Sequence, residues 1–266
     1  MNKKIKKYTE ANRKAWNEAM PKHRDVMTEK WDKLYSDPNF IFQKDEEFEN
    51  LNKIGIKGKR IAHLSCNNGL ELMSLKRLGA KKCVGFDISD EAISDAKLRA
   101  EKFQIDCQFV QTDVLEIDEK YYGKFDMVYI TVGALIWIPD LNLYFEKASK
   151  LLVNGGILFI YEHHPFASIF PFEDDKDPLK AENSYFTDEI YIGNEGIDYY
   201  GNTTYESASA YEFSYTISKL LNILIRNGFC LTLFNEYDKD IALSFARLEK
   251  ADIKLPLSYI LIARKK

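Results

Sequence analysis

Five times between residues 60 and 161 a short apolar run gives way to a stretch with helical spacing. This alternation constrains the fold more than any other feature of the 266-residue chain. Ile61-Ala62-His63-Leu64 leads through Gly69 into a helical stretch over 70–78, which Gly79 ends as a C′ residue does. The second run is 83–87. Ser89 then caps a helix whose first turn carries Asp90 and Glu91, where the helix dipole favours acids. Its apolar positions Ile93, Ala96 and Ala100 follow helical spacing. The third and fourth runs are 107–111 and 125–130. A helix over 141–152 stops at Asn154-Gly155-Gly156, and 157–161 is the fifth run. Short apolar strands alternating with helices predict a parallel sheet covered on both faces, a doubly wound, Rossmann-like α/β fold.

The rest of the chain flanks this core. Residues 1 to about 35 read as helical, with basic residues in excess and read as a solvated face. After residue 162 the rhythm breaks into a β-rich insertion with turn signals at Gly193, Gly196 and Gly201. A periodic helix over 216–227 follows, with Ile217, Leu220, Leu221, Leu224 and Ile225 on one face, and then strands over 229–234 and 258–263. Four scattered cysteines without a C-x-x-C pair predict reduced core thiols, neither a disulfide framework nor a zinc site. The first residues are polar and no apolar run reaches 18 residues, so the chain is expected to be cytoplasmic, with no signal peptide and no membrane partner. A net charge of −4 argues against a nucleic-acid partner.

In a doubly wound sheet, ligands sit beyond the carboxyl ends of the strands where the strand order reverses. The first β–α turn is Ser65-Cys66-Asn67-Asn68-Gly69, whose small and amide residues let the backbone approach a ligand. The helix after it offers free N–H groups. Asp87 ends the second strand, where an acid can accept both hydroxyls of a ribose. Asp113, ending the third, is positioned for an adenine amine. Together they describe an adenosyl pocket. The turn lacks the G-x-G-x-x-G spacing of a dinucleotide site, which disfavours a nicotinamide oxidoreductase.

These residues resemble the motifs of class I S-adenosylmethionine-dependent methyltransferases. The first motif is 61–69, the second is Val84-Gly85-Phe86-Asp87-Ile88-Ser89, the third Gln111-Thr112-Asp113-Val114 and the fourth 125–129. Leu151-Leu152-Val153-Asn154-Gly155-Gly156 resembles the stretch entering strand five. A longer likeness, to an uncharacterised bacterial subgroup, runs almost end to end. The family's first motif is DxGxGxG; here His63 replaces the acid, Ser65 the first glycine and Asn67 the second, while Gly69 remains.

The resemblance implies one domain over 1–266, with a helical cap over 1–55, a cofactor-binding core over 56–162, a substrate-side insertion over 163–212 and a final helix and strands over 213–266. It implies seven strands with the last antiparallel, and S-adenosylmethionine as cofactor with S-adenosylhomocysteine as product. The methyl group would pass by in-line displacement to a small-molecule acceptor. Expected cofactor contacts are Ser65, Cys66, Asn67, Gly69, Asp87, Asp113, Thr131, and Ile88 and Val114 beside the adenine, with Trp16 closing as a lid. The expected catalytic pair is His164 as proton acceptor and Glu162 orienting it or binding a cationic substrate. No metal is expected, because adjacent histidines on a strand point to opposite faces.

The insertion bears on substrate choice. Seven tyrosines lie between residues 185 and 215, and eleven acids between 173 and 212 face only Lys176 and Lys180. Such a cover suits an amine or aromatic methyl acceptor. The rival reading is a non-catalytic cofactor-binding or interaction protein on the same fold. A monomer or homodimer is expected.

Overall fold

The computed structural model describes residues 2–171, 177, 179–201, 203–242 and 244–266. Before the sheet come α1 (Lys3–Tyr35) and α2 (Asp45–Ile54). The core then runs β1 (Arg60–Leu64), α3 (Leu70–Arg77), β2 (Lys82–Asp87), α4 (Asp90–Lys102), β3 (Gln108–Gln111), β4 (Phe125–Thr131), α5 (Leu141–Leu151) and β5 (Leu152–His163). After it come β6 (Ile190–Gly193), β7 (Ala210–Phe213), α6 (Ile217–Arg226), β8 (Phe229–Tyr237), α7 (Ala246–Glu249) and β9 (Ser258–Lys265).

Seven strands pair in the order β3-β2-β1-β4-β5-β9-β8, and β6 pairs with β7 apart from them. β1 runs parallel to β2 and β4, while β9 runs antiparallel to β5 and β8. The expected doubly wound sheet with an antiparallel last strand is therefore the fold. Strand order reverses between β1 and β4, and that switch opens a crevice at their carboxyl ends.

Period-two alternation divides the core between the two faces. Ala62, Leu64, Phe86, Val128 and Ile160 pack with α5 and α6 on one face. Ile61, Cys83, Met127, Tyr129 and Tyr161 pack on the other with α3, α4 and the second half of α1, through Met27, Trp31 and Tyr35.

Four expectations need correction. Asn154-Gly155-Gly156 does not lie in a loop before β5 but inside it, in a bulge: Leu152 pairs with Phe125 and Ile157 with Met127, so 153–156 stand opposite Asp126 alone. The insertion is barely β-rich, since among its described residues one short antiparallel pair, β6–β7, is the only sheet. On α6 it is Ile223, not Ile225, that joins Leu220 and Leu224 in the core; Ile225 is 57% exposed. The α1 bases are not merely solvated: Arg13 pairs with Asp90, and Arg24 with Glu91 and Asp95 of α4. All four cysteines are free; Cys66 and Cys83 are buried, but Cys230 on edge strand β8 is exposed. Among the described residues no helix is long and apolar enough to cross a membrane.

Candidate active site

The turn between β1 and α3 keeps a glycine-like path without the glycines. Ser65, Asn67 and Gly69 all have positive φ, at 55°, 48° and 73°. Only Gly69 is compelled by packing, since a Cβ there would lie 2.4 Å from the Phe109 ring. Asn tolerates the left-handed region, whereas Ser pays for it. The two replacements in the first motif thus alter side-chain chemistry and leave the backbone course intact. Ser65→Gly is expected to leave the melting temperature unchanged or higher. Ser65→Val should cost about 1–2 kcal/mol in urea unfolding, because a β-branched residue resists positive φ.

The carboxylate of Asp87 holds this turn. Its Oδ2 accepts from Asn67 N at 2.7 Å and its Oδ1 from Ser89 N at 2.9 Å. Asp87 is 9% exposed, and burial raises its pKa. A carboxylate has about four lone-pair sites, more than these backbone N–H groups fill, so acceptor capacity remains for a ligand hydroxyl. Asp113 caps a short turn through Oδ1, which accepts from Leu115 N at 2.9 Å, while its buried Oδ2 makes no hydrogen bond in this geometry, with the Thr9 hydroxyl of α1 close enough to favour its charged form. A buried carboxylate oxygen without a hydrogen bond at the end of β3 fits an adenine amine. Val114 is buried in the core, Ile88 is half-buried, and Cys66 lies buried beneath Gly85.

At the far side of the crevice the expected catalytic pair has other partners. Glu162 is 1% exposed, and its carboxylate accepts from the backbone N–H of Gly133 and, at 3.2 and 2.8 Å, of Leu135 and His163. It fixes the β4–α5 loop and does not orient His164. The ring of His164 packs edge-on to Tyr259 at 6.0 Å, its Nδ1 accepts from Phe166 N, and its Nε2 lies 2.9 Å from Glu236 of β8. Tyr259 belongs to the core of the face opposite His63 and Tyr129, so His164 is directed away from them. Glu162→Ala strips three N–H groups of their hydrogen-bond acceptor and should cost roughly 2–3 kcal/mol in denaturant unfolding.

Thr131 ends β4 with its Oγ1 3.0 Å from Nε2 of His63. His63 is 1% exposed, its Nδ1 has no partner, and burial pushes its pKa down to about 3. Trp16 sits in an aromatic roof, 5.4 Å from Trp137, 6.4 Å from Tyr199 and 6.2 Å from His23. Asn12 ties α1 to the same roof through both backbone polar groups of Tyr211. Of the insertion's tyrosines, Tyr199 packs on Trp16, and Tyr200 on His23 and Tyr199. Tyr185 bonds Ile217 N, Tyr205 lies under Lys22 and Tyr211 packs on Tyr8; just beyond the insertion, Tyr215 contacts Tyr259. The charges at 173–176 lie outside the described residues.

Sequence reasoning missed two carboxyls. Glu47 of α2 is buried and accepts from Tyr129 of β4; burial raises its pKa to about 8. Glu71, in the first turn of α3, is raised to about 7 by the same cause. The legible hint was His63, a polar residue at an inward position of an apolar strand.

The sequence model of a family described as "Methyltransferase domain" matches residues 56–208, more than half of the chain. A ubiquinone biosynthesis O-methyltransferase from Escherichia coli O127:H6 is 31% identical over 105 residues, covering 40% of this chain and 43% of that one. The chain thus spans less than half the length of such curated relatives. A solved chain from Listeria monocytogenes superposes with a TM-score of 0.63 at 18% identity, covering 82% of this chain and 97% of that one. An S-adenosylmethionine-dependent methyltransferase from Mesorhizobium loti does so with 0.60 at 20%, with the same coverage. At these identities the structural likeness is one of fold. The fold, the strand-end acids and the matched residues agree: this chain belongs to the methyltransferase-domain family.

Proposed function

We propose that the chain transfers a methyl group from S-adenosylmethionine to a small-molecule acceptor. The observation that carries this reading is the pair of strand-end acids: Asp87 with acceptor capacity to spare, and Asp113 with a buried oxygen that makes no hydrogen bond. Asp87 would hold the ribose hydroxyls, Asp113 the adenine amine, and the turn at 65–69 the methionine end. When bound, the cofactor supplies an electrophilic methyl group that an acceptor nucleophile displaces in line.

The protein's own part is positioning and exclusion of water. Asn12 fastens α1 to β7, and Trp16 packs under Trp137 and Tyr199. Glu162 holds the β4–α5 loop against the sheet. The name of the Escherichia coli relative and the tyrosine roof support an aromatic or amine acceptor of small size.

Isothermal titration with S-adenosylhomocysteine tests the pocket, and labelled cofactor with a pool of metabolites tests transfer. Binding in the micromolar range and a labelled product are expected. Binding with transfer to nothing would favour the non-catalytic reading, and no binding would remove the cofactor. Once an acceptor is known, His164→Ala should keep turnover within about threefold, because its ring is engaged with Glu236.

A further inference from the structure

A second polar cluster lies on the His63 face of the sheet, and neither packing nor the adenosyl contacts account for it. Tyr129 donates to Glu47. The amide nitrogen of Gln43 donates to the backbone oxygen of Glu71 at 2.9 Å and to the Tyr129 hydroxyl at 3.3 Å. That fixes the amide, and leaves Gln43 Oε1 buried without a partner. The His63 ring lies tilted, 4.8 Å from that of Tyr129, and its Nδ1 is also buried and unpartnered. In the tautomer whose Nε2–H donates to Thr131, that nitrogen carries a lone pair. Gln43 is 3% exposed and His63 1%.

The charge account is as lopsided as the hydrogen-bond account. Glu71 bears electrostatically on Glu47, Tyr129, Tyr199 and Tyr200. Among the described residues neither Glu47 nor Glu71 has an ion-pair partner, although neighbouring Glu46 pairs with Lys239. Buried carboxyls are normally paired or strongly hydrogen-bonded. The cluster has hydrogen-bond acceptors to spare and two carboxyls that no cation faces; burial holds them toward their protonated form, and a positive charge beside them would favour the ionised one. An ammonium group supplies three N–H donors and one positive charge.

We propose that Gln43, Glu47 and His63, with the adjoining Glu71, form a recognition site for an ammonium group. The inference rests on the methyl-transfer reading of the adjoining pocket. Two molecules bring such a group there: the cofactor, through its amino-acid end, and an amine methyl acceptor.

Titration calorimetry of the full chain separates the sources. Wild type, Glu71→Gln and Glu47→Gln are titrated with S-adenosylhomocysteine and with 5′-methylthioadenosine, which lacks the amino-acid half. The homocysteine-saturated proteins are then titrated with tyramine and with 4-hydroxyphenylacetate, its anionic counterpart. A tenfold or greater loss for S-adenosylhomocysteine with 5′-methylthioadenosine unchanged assigns the site to the cofactor. Unchanged S-adenosylhomocysteine, with tyramine binding present in wild type and lost in the variants, assigns it to the methyl acceptor. Wild-type affinity of both variants for every probe overturns the site, as does absent tyramine binding with unchanged cofactor affinity. Glutamine preserves shape, so melting temperatures should hold or rise. A fall in melting temperature with equal weakening of all probes would mark a scaffold role only and also overturn the proposal. Wild type that binds no S-adenosylhomocysteine would instead remove the underlying pocket reading, and the site with it.

Discussion

Asp87→Ala should weaken S-adenosylhomocysteine binding at least a hundredfold, the largest effect expected of any single change in the pocket. Two losses combine. Hydrogen bonds from two ribose hydroxyls to a charged acceptor contribute about 1.5–3 kcal/mol each, and 2.7 kcal/mol already corresponds to about a hundredfold. The same carboxylate also holds Asn67 N and Ser89 N, so its removal frees the positive-φ turn and the start of α4. Asp87→Asn keeps one oxygen for hydrogen bonding and should fall between wild type and alanine. Calorimetric titration measures the affinities, and thermal unfolding checks that the variants remain folded. A folded alanine variant that binds within threefold of wild type would place the ribose elsewhere.

The sheet was legible because parallel strands buried on both faces are written as unbroken apolar runs. Asp87 and Asp113 were legible because strand ends can be counted from those runs. The bulge at 153–156 was not, since Gly155-Gly156 reads equally well as a loop and only the pairing with β4 tells them apart. The turn was half legible: Ser65 and Asn67 read as departures from a glycine pattern, and only the backbone angles reveal that the departures are confined to side chains. Glu162 and His164 looked like one unit because they are two residues apart on a strand end. Their partners are the β4–α5 loop and Glu236, and the latter is distant in sequence. Glu47 and Gln43 carried no local signal at all. Their meeting with Tyr129 spans more than 80 residues and depends on how α2 docks. Charge and tyrosine density marked the insertion as special without telling which two of its tyrosines pack against Trp16 and His23.

Raising the pH from 6.5 to 8 should destabilise the wild-type protein by about 1.5 kcal/mol relative to Glu47→Gln. The folded-state pKa of Glu47 is about 8 against an ordinary value near 4.5. Between those values the unfolded chain has lost its proton and the folded chain keeps it, so stability falls as pH rises, and the fall is complete only above pH 8. His63 acts in the opposite sense. Its folded pKa of about 3 lies below the ordinary 6.5, so its contribution grows with pH and is complete only about one unit above 6.5. Above about pH 7.5 Glu47 therefore acts without the histidine, and most of the Glu71 contribution, with a pKa of about 7, lies below that point. The groups that bear on Glu47 there are Tyr129 of β4, Glu71 of α3 and Tyr161 of β5. Urea unfolding at pH 6.5, 7.25 and 8 measures the slope, and equal slopes for wild type and Glu47→Gln would refute it. The same series bears on the ammonium site. A cation bound beside Glu47 favours its charged form and lowers its pKa. Saturation with the ligand that carries the ammonium should therefore flatten the wild-type slope as the glutamine does. A ligand without one, such as 5′-methylthioadenosine, should stabilise the protein at every pH and leave the slope in place.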